Sequence, residues 1–153
     1  ILVQKSQSEV NYAITSLVGF VLAVLSQFNV SLERCFLQNN PEMLPALISS
    51  EAPTLITLPE PIQISDCFSP AQSQLILKDI LSRTETLEFI LDPANQIVAD
   101  RRGVIIQARW SFLNKDSGRK YLFWLYFYLS PENLNQASRS SRLVIREIRA
   151  ERR

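Results

Sequence analysis

The residues from Gly103 to Ser130, GVIIQARWSFLNKDSGRKYLFWLYFYLS, limit this chain to a sheet-containing fold. Successive side chains of a strand point to opposite faces, so a period of two is the mark of a strand. Val104, Ile106, Ala108, Trp110 and Phe112 take one face of the first strand, and Ile105, Gln107, Arg109, Ser111 and Leu113 the other. The second face is only partly apolar, so it meets water near its centre. Asn114 to Gly118 supply turn residues, with Gly118 where a left-handed backbone would close a hairpin. The return strand is apolar on both faces, Tyr121, Phe123, Leu125, Phe127 and Leu129 against Leu122, Trp124, Tyr126 and Tyr128, and Pro131 is expected to end it. A strand covered on both sides reads as central.

Composition mainly excludes chemistry. With 153 residues and a 46% hydrophobic fraction, the chain reads as one domain, residues 1–153, with a real core. It has no histidine, which removes a His base, Ser-His-Asp and Cys-His arrangements, and imidazole metal ligation. Three glycines write no phosphate-cradling loop. Cys35 and Cys67 fit neither a zinc pattern nor a disulfide framework and read as thiols in or near a core, with a single bridge between them as the alternative. No cofactor or metal is expected, and no catalytic motif is recognisable, so the sequence leans away from an enzyme.

Charge is balanced overall but not along the chain. Residues 1–100 hold four Lys/Arg and eleven Asp/Glu, whereas residues 101–153 hold twelve and four. One reading is internal, with the two parts packed so that their charges meet at the rim. The other is a basic face for an acidic protein, anionic lipid or nucleic acid. Nucleic acid is the weakest of these, because no recognition motif accompanies the arginines.

Along the chain, VNYAITSLVGFVLAVLSQF at residues 10–28 is the most apolar stretch, and no charge lies between Glu9 and Glu33. It predicts either a core helix or a membrane anchor or interfacial helix, since helices apolar nearly all round occur in both settings. Asn29 or Ser31 is placed to cap a separate short helix holding Leu32, Cys35, Phe36 and Leu37, broken by Asn39-Asn40-Pro41. Pro41 opens another short helix. Pro53, Pro59 and Pro61 predict that a strand at Thr54 to Leu58 is an edge or a short piece. Ser69-Pro70 opens a helix, Thr84 to Leu91 alternates as a strand with one buried face, and Asp92 to Asn95 is a turn. A polar loop after Pro131 leads to RLVIREIRA at residues 142–150, whose β-branched residues favour a strand.

This order, an apolar N-terminal helix, short helices, a Pro-rich segment, a helix from Ser69 and then strands ending in a basic one, resembles the nuclear transport factor 2-like superfamily. GVIIQARWSFLN, KYLFWLYFYLS and RLVIREIRA look like its sheet. The resemblance implies an α+β fold: a curved antiparallel sheet of about four to six strands wrapped, cone-like, around the N-terminal helix. It also implies a choice of roles, since the family includes isomerases, dehydratases, transport adaptors and domains that only bind a partner. Its acid-base enzymes place Asp, His and Tyr in the cone. Here the resemblance offers Tyr126 or Tyr128 with Asp66 or Asp100.

The expected function is a non-catalytic protein-interaction or assembly domain that binds a protein partner or a second copy through an aromatic, basic sheet face. Its candidate contacts are Arg109, Trp110, Trp124, Tyr126, Tyr128, Arg146 and Arg149, the residue types that make desolvated anchors. The alternatives are a small-molecule or isomerase-like site in the cone and a membrane-associated accessory protein anchored by residues 10–28. The expected location is cytoplasmic, with membrane association as the variant.

Overall fold

The computed structural model describes residues 2–92, 97–99, 103–133 and 141–153, with backbone alone for 2–5, 16–22, 97–99 and 141. Among the described residues three α-helices and a 3-10 turn accompany a curved, mixed sheet. The helices are α1 (Leu2–Leu37), α2 (Leu44–Leu47) and α3 (Pro70–Arg83). The strands are β1 (Thr54–Leu58), β2 (Ile64–Phe68), β3 (Thr84–Leu91), β4 (Ile97–Ala99), β5 (Gly103–Asn114), β6 (Lys120–Asn133) and β7 (Ser141–Arg152). The sheet runs β2-β1-β7-β6-β5-β3, and β4 also pairs with β5. All pairings are antiparallel except β1 with β7.

The predicted hairpin forms the middle of this sheet. Trp110 lies opposite Phe123 and Arg109 opposite Trp124, and Gly118 turns the chain at a φ of +70°. Gly103 opens β5 at a φ of +142°, where a Cβ would sit 1.7 Å from the Leu129 carbonyl oxygen. Only glycine fits between this backbone and its neighbour. Gly103→Ala is expected to cost ~2–3 kcal/mol through backbone strain and displacement of β6. A drop in the urea midpoint of that size checks it.

One helix replaces the two expected at the N-terminus. Neither Asn29 nor Ser31 caps anything, because α1 runs unbroken through Leu37. The chain turns away from α1 at Asn39, which has a φ of +47°. The Asn39 amide donates to the carbonyls of Leu81 (2.9 Å) and Thr84 (2.8 Å), and its oxygen accepts from Thr86 N–H at 3.1 Å. This residue therefore fastens the end of α1 to the α3–β3 junction.

The later part of α1 enters the core through Leu25, Phe28, Leu32, Cys35 and Phe36. Residues Ser6–Thr15 are exposed. Among the described residues no helix is long and apolar enough to cross a membrane.

In the Pro-rich segment β1 is the short piece that the prolines allowed, five residues from Thr54 to Leu58. β1 is not an edge: it pairs with β2 on one side and β7 on the other. The prolines flank β1 instead of interrupting it, so its backbone donors remain available on both sides. The edge is β2, whose central residues Ser65, Asp66 and Cys67 are exposed. Pro131 likewise does not stop β6, which continues to Asn133 and places Pro131 opposite Leu143.

At α3, Ser69 accepts from Gln72 N–H while the Gln72 side chain accepts from Ser69 N–H, with Pro70 at the first position. This reciprocal cap satisfies donors the helix start would otherwise leave open. Leu77, Ile80 and Leu81 then close the core from that side. In β3 a register shift between Thr86 and Glu88 breaks the simple alternation, so Leu87 is exposed and Phe89 buried. In β7 a similar shift opposite Tyr128 and Leu129 leaves Val144 and Ile145 both buried and Arg146 exposed. The turn expected at Asp92 to Asn95 and the site candidate Asp100 lie outside the described residues, apart from Asp92 itself.

Candidate functional site

The two faces of the sheet have opposite chemistry, set by the parity of residues along β5 and β6. Ala108, Trp110 and Phe112 with Phe123, Leu125 and Phe127 point inward and are buried. Phe36 of α1 stacks on Phe89 with centroids 4.5 Å apart and meets the edge of Trp110 at 5.2 Å. Trp110 also stacks on Phe112 at 4.1 Å, and its indole N–H donates to Thr86 Oγ1 at 2.9 Å. Rings this close fill the cone and satisfy the one polar atom that Trp110 brings inside.

Little space remains there. The interior holds a cavity of about 20 Å³ whose walls are apolar side chains, Leu32, Phe36, Leu77, Trp110, Leu125 and Ile148 among them. That volume is about one water-sized probe, and a water there would find no polar partner. Tyr126 and Tyr128, the cone acids or bases that family resemblance offered, lie on the opposite face of β6, and Asp66 is exposed on the edge strand. These three are not brought together in the cone. Among the described residues no group of three or more Cys, Asp or Glu is placed to hold a metal ion.

Trp110 must be removed from the predicted contact surface. It is 1% exposed and its parity is opposite to that of Arg109, so it packs inside the cone. The other predicted residues are accessible. Pairing across β5, β6 and β7 arranges them in three rows: Arg109, Trp124 and Glu151; Gln107, Tyr126 and Arg149; Ile105, Tyr128 and Glu147. β1 extends the second and third rows with Thr57 and Leu55. Arg146 stands beside them as the extra residue of β7.

Three arginines on this face, Arg109, Arg149 and Arg153, are already held by it. Arg109 donates to Glu88 at 2.9 Å and Arg149 to Glu147 at 3.0 Å. The Arg149 guanidinium also lies 6.0 Å from the Tyr128 ring centre, and that of Arg153 lies 5.8 Å from Trp124. Such exposed pairs add little stability, but they fix long side chains over aromatic rings and reduce what is lost when a partner arrives. The face carries both signs of charge.

A second polar cluster escaped the sequence. Ser49 is fully buried; its hydroxyl donates to Glu132 and accepts from Glu51 N–H (3.2 Å) and Ala52 N–H (2.9 Å). The Arg142 guanidinium donates to Glu132 through Nε (3.3 Å) and Nη2 (3.0 Å), and to the carbonyls of Pro45 (3.2 Å) and Ile48 (3.4 Å). Burial opposes ionisation of Glu132, but the hydrogen bonds from Ser49, Arg142 and the Ser50 backbone, with the Arg142 charge, outweigh it and hold the carboxyl below its usual range. This cluster ties α2 and the segment after it to the ends of β6 and β7. Arg142 also borders a groove of about 200 Å³ beside α1, but its donors are committed to Glu132 and the two carbonyls.

Both cysteines are free. Burial pushes the Cys35 thiol up to about 12, and it donates to the Asn40 carbonyl at 3.2 Å. Cys67 is exposed on β2.

No family model matches this sequence, and no curated protein matches it. Solved structures do match its fold. An NTF2-like protein of unknown function in nutrient uptake from Rhodospirillum rubrum superposes with a TM-score of 0.58 at 8% identity, covering 84% of this chain and 98% of that one. A SnoaL-like protein assigned as a polyketide cyclase from Mesorhizobium loti gives 0.56 at 11% identity, covering 86% and 97%. A protein assigned as an isomerase from Rhodopseudomonas palustris gives 0.55 at 12% identity, covering 83% and 87%. The chain therefore has the nuclear transport factor 2-like fold, as its order of elements suggested.

Proposed function

We propose that this chain is a non-catalytic interaction domain that associates with a second copy of itself through the outer face of its sheet. The observation that carries this reading is the contrast between the two faces. The cone is filled by Phe36, Phe89, Trp110 and Phe127, while Trp124, Tyr126 and Tyr128 stand partly exposed in adjacent rows outside. Partly exposed aromatics framed by arginines are the usual anchors of protein interfaces.

Charge favours a second copy over a polyanion. Arg109, Arg149 and Arg153 share the face with Glu88, Glu147 and Glu151, so two copies offer each other opposite charges. These rows, five strands wide and about five residues long, measure on the order of 400 Å², about half of what each partner contributes to a standard interface, which suits a dimer that dissociates on dilution. Nucleic acid finds no comparable fit, because its phosphates would have to displace the carboxylates already paired there.

Trp124→Ala is expected to weaken self-association at least tenfold while changing stability by no more than about 1 kcal/mol, since Trp124 contributes little to the core. Sedimentation equilibrium with parallel urea denaturation reads both quantities. Loss of stability without a change in association would remove the proposal.

The second reading, a small-molecule or isomerase-like site, draws on neighbours assigned as a cyclase and an isomerase. Their identities of 11% and 12% carry fold alone, and the cavity of about 20 Å³ among the described residues has apolar walls that offer a substrate no polar group.

A further inference from the structure

We infer that the free edge of β2 is a strand-pairing site that takes an extended segment with a basic residue opposite Asp66 and rejects the β2 of a second copy. Among the described residues β2 ends the sheet, pairs with β1 alone, and exposes Ser65, Asp66 and Cys67 at its centre. The opposite end of the sheet is partly closed, because Asn39 accepts from Thr86 N–H of β3 at 3.1 Å. An open edge is a template for another strand: main-chain hydrogen bonds supply affinity there, and side chains supply choice.

The direction of one N–H sets the pattern of this edge. Cys67 N–H donates to Asp66 Oδ1 at 2.7 Å, so it points away from β1. Residues two apart on a strand direct their backbone groups to the same side, so Ser65 and Cys67 line the open edge while Asp66 turns its own groups toward β1. The Asp66 carboxylate therefore covers a donor that an added strand would use. A Lys or Arg facing Asp66 uncovers it, because the opposite charge draws the carboxylate across and leaves Cys67 N–H to a carbonyl of the partner.

The same pattern turns away a second copy. Gln63 has a φ of +53° and Ser69 already caps α3, so the five residues Ile64–Phe68 are what the edge can pair. Two copies joined antiparallel along all five set Ser65 against Cys67 and Asp66 against the other copy's Asp66. The two carboxylates then form a non-hydrogen-bonded pair, with Cβ atoms about 4.5–5.5 Å apart, where like charges repel. A slip of one residue misplaces every donor, and a slip of two leaves three residues paired. The inference does not rest on the proposed dimer, since an edge pairs in the plane of the sheet and that dimer stacks on its outer face.

Nuclear magnetic resonance titration of the isotope-labelled full chain with two synthetic peptides tests it. Both peptides span residues 62–69 with Cys67→Ser, which prevents disulfides, and one also carries Asp66→Lys. The Asp66→Lys peptide is expected to shift the Ser65 and Cys67 amides of the chain and to bind about tenfold more tightly than the other peptide. The full chain carrying Asp66→Lys should reverse that order, and because Asp66 is exposed the rest of its amide spectrum should match wild type. No response of the two amides at millimolar peptide overturns the inference. So do equal affinities for the two peptides, an order that the Asp66→Lys chain leaves unchanged, or shifts confined to the outer face of the sheet.

Discussion

Trp110→Ala is expected to cost about 3–5 kcal/mol, the largest loss from any single truncation considered for this chain. The indole is packed by Phe36, Phe112 and Phe123, with centroids 4.1 to 6.0 Å away, and its N–H is bonded to Thr86. Removal opens a cavity at the meeting of α1, β3, β5 and β6 and leaves the Thr86 hydroxyl without its donor. A domain of this size has a total stability of about 5–15 kcal/mol, so a large part of the folded population is at stake. Urea denaturation should show a much lower midpoint for Trp110→Ala than for Trp124→Ala. Equal losses would mean that the two faces of β5 and β6 do not have the roles assigned to them.

The second large effect belongs to Glu132. Glu132→Gln keeps the shape but removes the charge that Arg142 and Ser49 are arranged around. The side chain of Glu132 is 8% exposed and that of Arg142 is 24% exposed. Complete burial would put the loss at 3–5 kcal/mol; the remaining water around Arg142 brings the expected cost to ~2–3 kcal/mol near neutral pH. The pH dependence has a definite sign. A carboxylate whose folded-state pKa is depressed stabilises fully above its unfolded value and loses that contribution as pH falls through the folded value. Wild type should therefore lose stability as pH drops below about 4, the ordinary glutamate range, and the difference from Glu132→Gln should shrink over the same interval. Chemical denaturation of both proteins from neutral to acid pH measures it. A constant difference would place the contribution in packing and not in ionisation.

The sheet was legible because each central strand obeys one rule. Alternation in β5 and β6 places every second residue in the core, and the turn chemistry of Asn114 to Gly118 fixes where the chain reverses. The cap at Ser69 and Pro70 is equally local, which is why it could be read from adjacent residues. Trp110 shows the limit of composition-based reasoning. Its aromatic character suggested an anchor, yet its parity with Ala108 and Phe112 already assigned it to the inner face.

What the sequence hid depends on long-range contacts or on a broken rule. Ser49 and Glu132 meet across 83 positions, and Asn39 reaches Thr84 across 45. No local pattern announces such pairs. The shifts in β3 and β7 invert the alternation partway along a strand, so Leu87 and Arg146 could not be assigned to a face by counting. The prolines around β1 left open whether it is an edge or a short piece, and its pairing with both β2 and β7 shows it to be a short inner strand. The continuous α1 was divided because Asn29 and Ser31 resemble caps, although the buried face through Leu25, Phe28, Leu32 and Phe36 keeps helical spacing across them.

The outer sheet face is the centre of this account, and sedimentation velocity of wild type and Trp124→Ala over a wide range of concentration tests it most directly. Wild type is expected to form a dimer that dissociates on dilution, and the variant to stay monomeric at concentrations where wild type is paired. A wild type that remains monomeric throughout, or a variant that pairs as well as wild type, would contradict it.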